Sequence, residues 1–168
     1  QATCPVMHPN EALLEKFYSA FQKRDAATMN SCYHEDVEFW DPVFHDLKGW
    51  KARAMWSMLT ERAAPDFKLT FSGIKADDNG GVAHWEPTYA FSKTGNLVHN
   101  IIDAKFEFRD GKIIKHRDSF DLWRWAGQAL GASGKFLGWT PMVQNKIRGE
   151  AATGLEMFIK RKKLGPGK

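Results

Sequence analysis

Between residues 67 and 121 the chain alternates apolar and polar residues and is cut by three tight-turn signals. Phe67, Leu69 and Phe71 alternate with Lys68, Thr70 and Ser72, the period of a half-buried strand. The cuts are Asp77-Asp78-Asn79-Gly80-Gly81, Lys93-Thr94-Gly95-Asn96 and Arg109-Asp110-Gly111-Lys112. Four strands are predicted, 67–74, 82–92, 97–108 and 113–121. Pro87 marks an irregularity such as a bulge, because it has no N–H to give a ladder. Turns this short allow only an antiparallel meander. Upstream the period is helical. Leu13, Leu14, Phe17, Tyr18 and Phe21 share one helix face behind an N-cap at Asn10. A second short helix runs from Asp25 through Met29 to Tyr33, and a third from Trp50 to Arg62, ended by Pro65. Helices segregated from a meander predict an α+β fold. A curved sheet wrapped on three helices leaves a cone-shaped cavity lined with aromatic rings.

One strand lies among those helices, Val37-Glu38-Phe39-Trp40, and it stops at Asp41-Pro42. Pro42 cannot donate to a sheet and holds Asp41 extended or in a turn. Two readings of Asp41 stand. Its carboxylate caps the turn, as Asp does before Pro. Or its apolar flanks, Trp40 and Pro42, raise its pKa into the range of a general base.

At 168 residues the chain is one domain with room for a core. Its formal charge of +4 invites a nucleic-acid reading, and the distribution argues against it. Five of the 24 basic residues are Lys160, Arg161, Lys162, Lys163 and Lys168, in a tail without acids. Residues 1–159 thus carry 19 basic against 20 acidic residues. A basic helix end suits the helix dipole, and no nucleic-acid partner is expected. No stretch is long and apolar enough to span a bilayer, so no membrane partner is expected. Cys4, in an N-terminus expected to be mobile, and Cys32 do not make a disulfide framework. The chain starts at Gln1, from which loss of a preceding segment is expected. No secretory signal is read, and the expected location is cytoplasmic.

Residues 1–9 are predicted irregular, 10–125 a domain, and 126–168 a helical extension with the basic tail. Leu122 to Leu130 reads as a helix broken by Gly131-Ala132-Ser133-Gly134. Thr140 and Pro141 read as N-cap and first residue of a last helix. Its stripe of Val143, Ile147, Ala151, Leu155, Phe158 and Ile159 requires a surface to pack on.

Several strings resemble the NTF2-like superfamily, in its SnoaL-like and ketosteroid-isomerase-like branch. They are Phe17 through Asp25, Tyr33-His34-Glu35-Asp36-Val37-Glu38-Phe39, Asp41-Pro42, Leu47-Lys48-Gly49, and Phe106 through Ile113. Asp118-Ser119-Phe120-Asp121-Leu122-Trp123-Arg124-Trp125 resembles a bacterial SnoaL-like subset. The resemblance implies a cone fold, a homodimer through the sheets and catalysis without a cofactor. It implies Asp41 as base and Asp103, on Ile102-Asp103-Ala104, as a protonated donor to an oxyanion. The isomerases place a donating tyrosine where this chain has Phe17, whose ring donates nothing. SnoaL-type cyclases use an Asp and His on later strands, for which His116 and Asp118 share one strand face.

The catalytic candidates are therefore Asp41, Asp103, His116 and Asp118. Phe17, Tyr18, Tyr33, Trp40, Trp56, His84, Tyr89, His99 and Phe120 are candidates to line a site for a small apolar ligand. No compact His/Cys cluster suggests a metal, and no phosphate loop or nucleophile elbow is present. Three functions are open: proton transfer on an apolar carbonyl compound, water activation by paired carboxylates as in limonene-epoxide-hydrolase-like enzymes, and a non-catalytic ligand-binding or interaction module. The water-activating enzymes bridge two aspartates by an arginine, whereas Arg117 points opposite to Asp118 on one strand. An enzyme requires two carboxyl groups in one closed apolar cavity, one of them titrating above a free Asp. A module would leave them solvated or ion-paired.

Overall fold

A computed structural model describes residues 6–167; Cys4 and Lys168 lie outside that range. The elements are α1 (Pro9–Gln22), α2 (Ala26–Ser31), β1 (Tyr33–Trp40), β2 (Leu47–Lys48) and α3 (Trp50–Arg62). Then come β3 (Lys68–Ala76), β4 (Gly81–Ala90), β5 (Leu97–His99), β6 (Ile102–Arg109) and β7 (Lys112–Ser119). Three helices follow, α4 (Leu122–Leu130), α5 (Ala132–Leu137) and α6 (Pro141–Lys162). The strands form one seven-stranded sheet in the order β2-β1-β7-β6-β4-β3, with β5 paired to β4. Among the described residues only the β1–β7 pair is parallel. Register shifts within β1–β7, β3–β4 and β6–β7 bend the sheet. The expected α+β cone is the observed fold.

Several local expectations are corrected by specific contacts. Helix α1 starts at Pro9, because His8 Nδ1 accepts the Asn10 N–H at 3.0 Å and so takes the cap expected of Asn10. Asn10 instead donates across to the Asp77 carbonyl at 3.0 Å. Helix α2 stops at Ser31, and β1 begins at Tyr33 rather than Val37. The polar stretch His34-Glu35-Asp36 is thus strand, with Glu35 and Asp36 exposed and His34 half-buried. The strand expected over 97–108 divides at Asn100-Ile101. Its Asn100 N–H reaches the Pro87 carbonyl at 3.0 Å, opposite the one β4 residue with no N–H to return. The β6–β7 turn holds Asp110 and Gly111 at φ 52° and 71°, the paired positive φ of a type I′ hairpin.

The core fills the concave side of the sheet. Phe17, Tyr18, Phe39, Met55 and Trp56 are wholly or almost wholly buried there. Burial of rings this size contributes on the order of 1.5–3 kcal/mol each. Helix α6 belongs to the same core through Leu155, Phe158 and Ile159. Its cap is as expected, Thr140 Oγ1 accepting the Val143 N–H at 3.4 Å with Pro141 at N1. Gly131 alone breaks α4 from α5, and Ala132 to Gly134 already belong to α5. The two helices touch so closely that a Cβ on Gly134 would lie 1.9 Å from the Ala126 carbonyl oxygen. Among the described residues no helix is long and apolar enough to cross a membrane.

Candidate active site

The open end of the cone is a cavity of about 560 Å³. Its wall is largely aromatic: Phe21, Trp56, Phe67, Trp85, Tyr89, Phe120 and Trp125 all contribute. Helix α6 closes one side with Val143, Ile147 and Ala151, the N-terminal half of its stripe. It is tied across the mouth by Arg148, whose Nε–H donates to the Pro42 carbonyl at 2.9 Å, and by the Lys93–Glu150 ion pair at 2.8 Å.

Asp41 enters this cavity from the end of β1. Its Oδ1 accepts the N–H groups of Val43 at 2.7 Å and Phe44 at 2.5 Å. Its own N–H donates to the Phe44 carbonyl at 2.9 Å. The cap expected of Asp41 is thus made by one oxygen. Oδ1 caps the turn, and Oδ2 is left for the cavity. Surrounding protein desolvates the carboxyl and pushes its pKa up to about 7. The two N–H bonds oppose that rise and the charge of Asp118 adds to it.

Asp118 comes from β7 and is buried at the inner end of the cavity. A chain of hydrogen bonds leads to it. Trp56 Nε1–H can only donate, and it reaches the Tyr33 hydroxyl at 2.7 Å. The Tyr33 hydroxyl meets His116 Nδ1 at 2.6 Å. His116 Nε2 meets Asp118 Oδ1 at 2.9 Å. Trp85 Nε1–H also donates to that oxygen, at 3.2 Å. His116 thus bridges Tyr33 and Asp118, and among the described residues Asp118 Oδ2 has no protein donor. Phe17 packs edge-on to His116 and Trp56 and stacks on Tyr33, so it braces the chain from beneath.

Two neutral donors complete the cavity. Trp125 Nε1–H donates to the Tyr89 hydroxyl at 2.9 Å. Among the described residues nothing accepts the Tyr89 O–H in return. Burial raises the Tyr89 pKa, and the charge of Asp41 contributes to the rise. Asn100 is buried with its Oδ1 turned back to the Ile101 N–H at 3.0 Å, and its Nδ2 meets no protein acceptor among the described residues.

Among the expected catalytic residues, Asp41, His116 and Asp118 meet at or beneath the cavity; Asp103 does not. Asp103 pairs with Ser119 in register, while its neighbour Ala104 pairs with Asp118 and faces in. Its side chain is 79% exposed on the convex face and bonds His84 Nδ1 at 2.8 Å. Apolar sequence neighbours do not desolvate a strand residue, because they point the other way. His84 and His99 are on the same outer face, joined through Glu86 at 2.7 Å each. The hydrogen bonds from Asp103 and then Glu86 raise the His84 pKa. Trp40 also lies outside, stacked on His45 with the Arg117 guanidinium 4.2 Å over its ring. Trp56, Tyr89 and Phe120 line the cavity as expected, whereas Phe17, Tyr18 and Tyr33 form the layer beneath it.

Asn100, Trp85 and Trp125 were missed by the sequence reading. A polar residue inside the run Val98–Ile102 marked Asn100. Trp85 shares the parity of Pro87 and Tyr89 on β4. Among the described residues no group of three or more His, Cys, Asp or Glu is arranged to hold a metal ion.

Residues 14–116 match the family model of the SnoaL-like domain. No curated protein matches. Among solved structures, an LEH-like epoxide hydrolase of M. tuberculosis superposes with a TM-score of 0.61 at 19% identity, over 79% of this chain and 97% of its own. TerC, co-crystallised with polyporic acid, gives 0.62 at 18% identity over 73% and 99%. Bal32a, from a soil-derived mobile gene cassette, gives 0.61 at 22% identity over 72% and 96%. Likeness at these identities establishes a shared fold.

Proposed function

The chain belongs to the SnoaL-like domain family, and on that premise we propose that it is a proton-transfer enzyme acting on an apolar carbonyl compound held in the cone. The observation that carries this reading is Asp41, a carboxyl with its pKa raised to about 7 inside a mainly aromatic cavity that it shares with Asp118. A general base works best with a pKa near the working pH. Asp41 Oδ2 takes a proton from the carbon next to the substrate carbonyl. The electron pair of that C–H bond moves onto the carbonyl oxygen. Tyr89 O–H and Asn100 Nδ2–H are two donors in the cavity without a protein acceptor among the described residues, and they stabilise that oxyanion. Asp41 then returns the proton to another carbon of the conjugated system, an isomerisation, or the enolate carbon attacks a second carbonyl of the same molecule, whose C=O π electrons go to oxygen, and Asp41 gives its proton to that alkoxide as the ring closes.

Asp118 Oδ2 is a second acceptor, held in place by His116 and Trp85. It positions a substrate hydroxyl. One observation favours a second reading: two carboxylates in one cavity can also flank and activate a water molecule. A homodimer through the convex sheet face and a cytoplasmic location belong to the same proposal.

Deuterium exchange separates these readings. Apolar cyclic ketones and enones are incubated with the protein in D₂O, and exchange next to the carbonyl is followed by NMR. Protein-dependent exchange that falls about 10²–10⁴-fold in Asp41→Asn supports the base. Incorporation of ¹⁸O from water into an apolar epoxide, without exchange, moves the function to water activation. Tight binding of such ketones with neither reaction leaves a binding module.

A further inference from the structure

The helices α4 and α5 and the start of α6 carry a feature that the reaction does not use. Phe136 and Met142 are 76% and 75% exposed, and Trp139 is 59% exposed. Trp123 and Leu137 beside them are also open to solvent. The rings are held together by backbone bonds. Trp123 Nε1–H donates to the Lys135 carbonyl at 2.9 Å, and Trp139 Nε1–H to the Phe136 carbonyl at 3.1 Å. The glycine contact between Gly134 and Ala126 fixes the helix pair that displays them. Exposed apolar groups gathered in this way mark a contact surface. The segment lies beyond residue 116, where the match to the family ends.

Charge decides the occupant. Residues 122–149 contain four basic residues, Arg124, Lys135, Lys146 and Arg148, and no acidic one. Of the acids at its two edges, Asp121 caps α4 and Glu150 is paired with Lys93, so a second copy on the same patch would set basic groups against basic groups, since a two-fold contact uses one patch twice. Tryptophan, aliphatic side chains and flanking lysines on short helices match the interface of an anionic bilayer. The helices that carry the patch also wall the cavity. Leu130, Ser133, Val143 and Ile147, from the same three helices, line the cavity.

We propose that this surface docks the protein on an anionic membrane surface, with the cavity mouth against the lipid, so that an apolar ligand passes from the bilayer into the cone. Docking of this kind needs no spanning helix. It does not depend on the chemistry at Asp41.

The test is co-sedimentation of the whole protein with vesicles, read also by the tryptophan emission shift. Vesicles of phosphatidylglycerol and phosphatidylcholine should bind it at least 10-fold more tightly than phosphatidylcholine alone, and 0.5 M salt should weaken the binding. Trp139→Ala with Phe136→Ala should cut binding about 10-fold or more. Lys135→Glu should do so without touching the apolar area. These positions are exposed, so the fold should keep its melting temperature. The proposal is overturned if anionic vesicles do not bind. It is also overturned if replacing Lys160 to Lys163 by serine abolishes binding while the patch variants leave it intact. A dimer dissociated by Trp139→Ala, or binding to an oligonucleotide in place of vesicles, overturns it as well.

Discussion

Trp125 Nε1–H donates to the Tyr89 hydroxyl at 2.9 Å, which frees the phenolic proton for an acceptor inside the cavity. The donor that the first helix lacks, with Phe17 in its place, is thus available from β4. Tyr89→Phe keeps the ring against Phe67 and removes only the hydroxyl. Exchange catalysed by the protein should fall about 10²-fold or more, the worth of one oxyanion donor. The stranded Trp125 N–H should cost about 1–3 kcal/mol of stability, read by denaturant unfolding. Unchanged exchange would remove Tyr89 from the mechanism.

Asp41 should titrate near pH 7 by carboxyl NMR. Its exchange activity should rise with pH along a limb of the same apparent pKa, and Asp41→Asn should lose that limb. Stability carries the opposite sign. The folded state holds this proton up to about pH 7, while an unfolded Asp releases it near ~4. The contribution of Asp41 is therefore full below pH ~4 and declines as pH rises from ~4 to 7. In Asp41→Asn that decline should disappear.

Asp118→Asn tests the coupling between the two acids. The amide oxygen still meets His116 and Trp85, and the charge that helps to raise Asp41 is gone. The Asp41 titration should move down, and the variant should stay folded. A titration that stays in place would show that desolvation alone sets the Asp41 value.

Helix α6 should be structural as well as a cavity wall. Leu155→Ala empties a buried position and should cost about 3 kcal/mol. For a chain of this size that is roughly 6–12 °C in melting temperature. Removal of residues 141–168 should lower the melting temperature further and open the cavity. If the truncated chain melts unchanged, α6 does not hold the core.

The proposed dimer is checked by light scattering at micromolar concentration. Val82 and Ile101 are exposed apolar side chains on and beside the convex face, near His84 and Asp103, and Leu97 is a third, two residues before His99 on β5. Val82→Glu with Ile101→Glu should yield a monomer without loss of fold. A wild-type monomer would end the dimer reading.

The alternation of 67–121, its three turns and the helical periods of 10–62 and 141–163 determined the α+β cone from sequence alone. Each rests on contacts a few residues apart. The Asp-Pro strand end placed Asp41 for the same reason, since its cap is made by Val43 and Phe44. Which aspartate shares the cavity with it was decided only by tertiary structure. Alternation tells which strand residues share a face and not which face is inside. On β6 and β7 that choice follows from the pairing of Ala104 with Asp118 and from the layer of Phe17, Trp56 and Trp85 packed beneath. Asp103 and Asp118 look alike locally, and they lie on opposite faces of one sheet. The chain from Trp56 through Tyr33 to His116 spans up to 83 residues of sequence per bond, and no local pattern encodes it. Burial of the aromatic core brings those groups together, and the cost of an unpaired buried N–H or O–H then fixes how they bond.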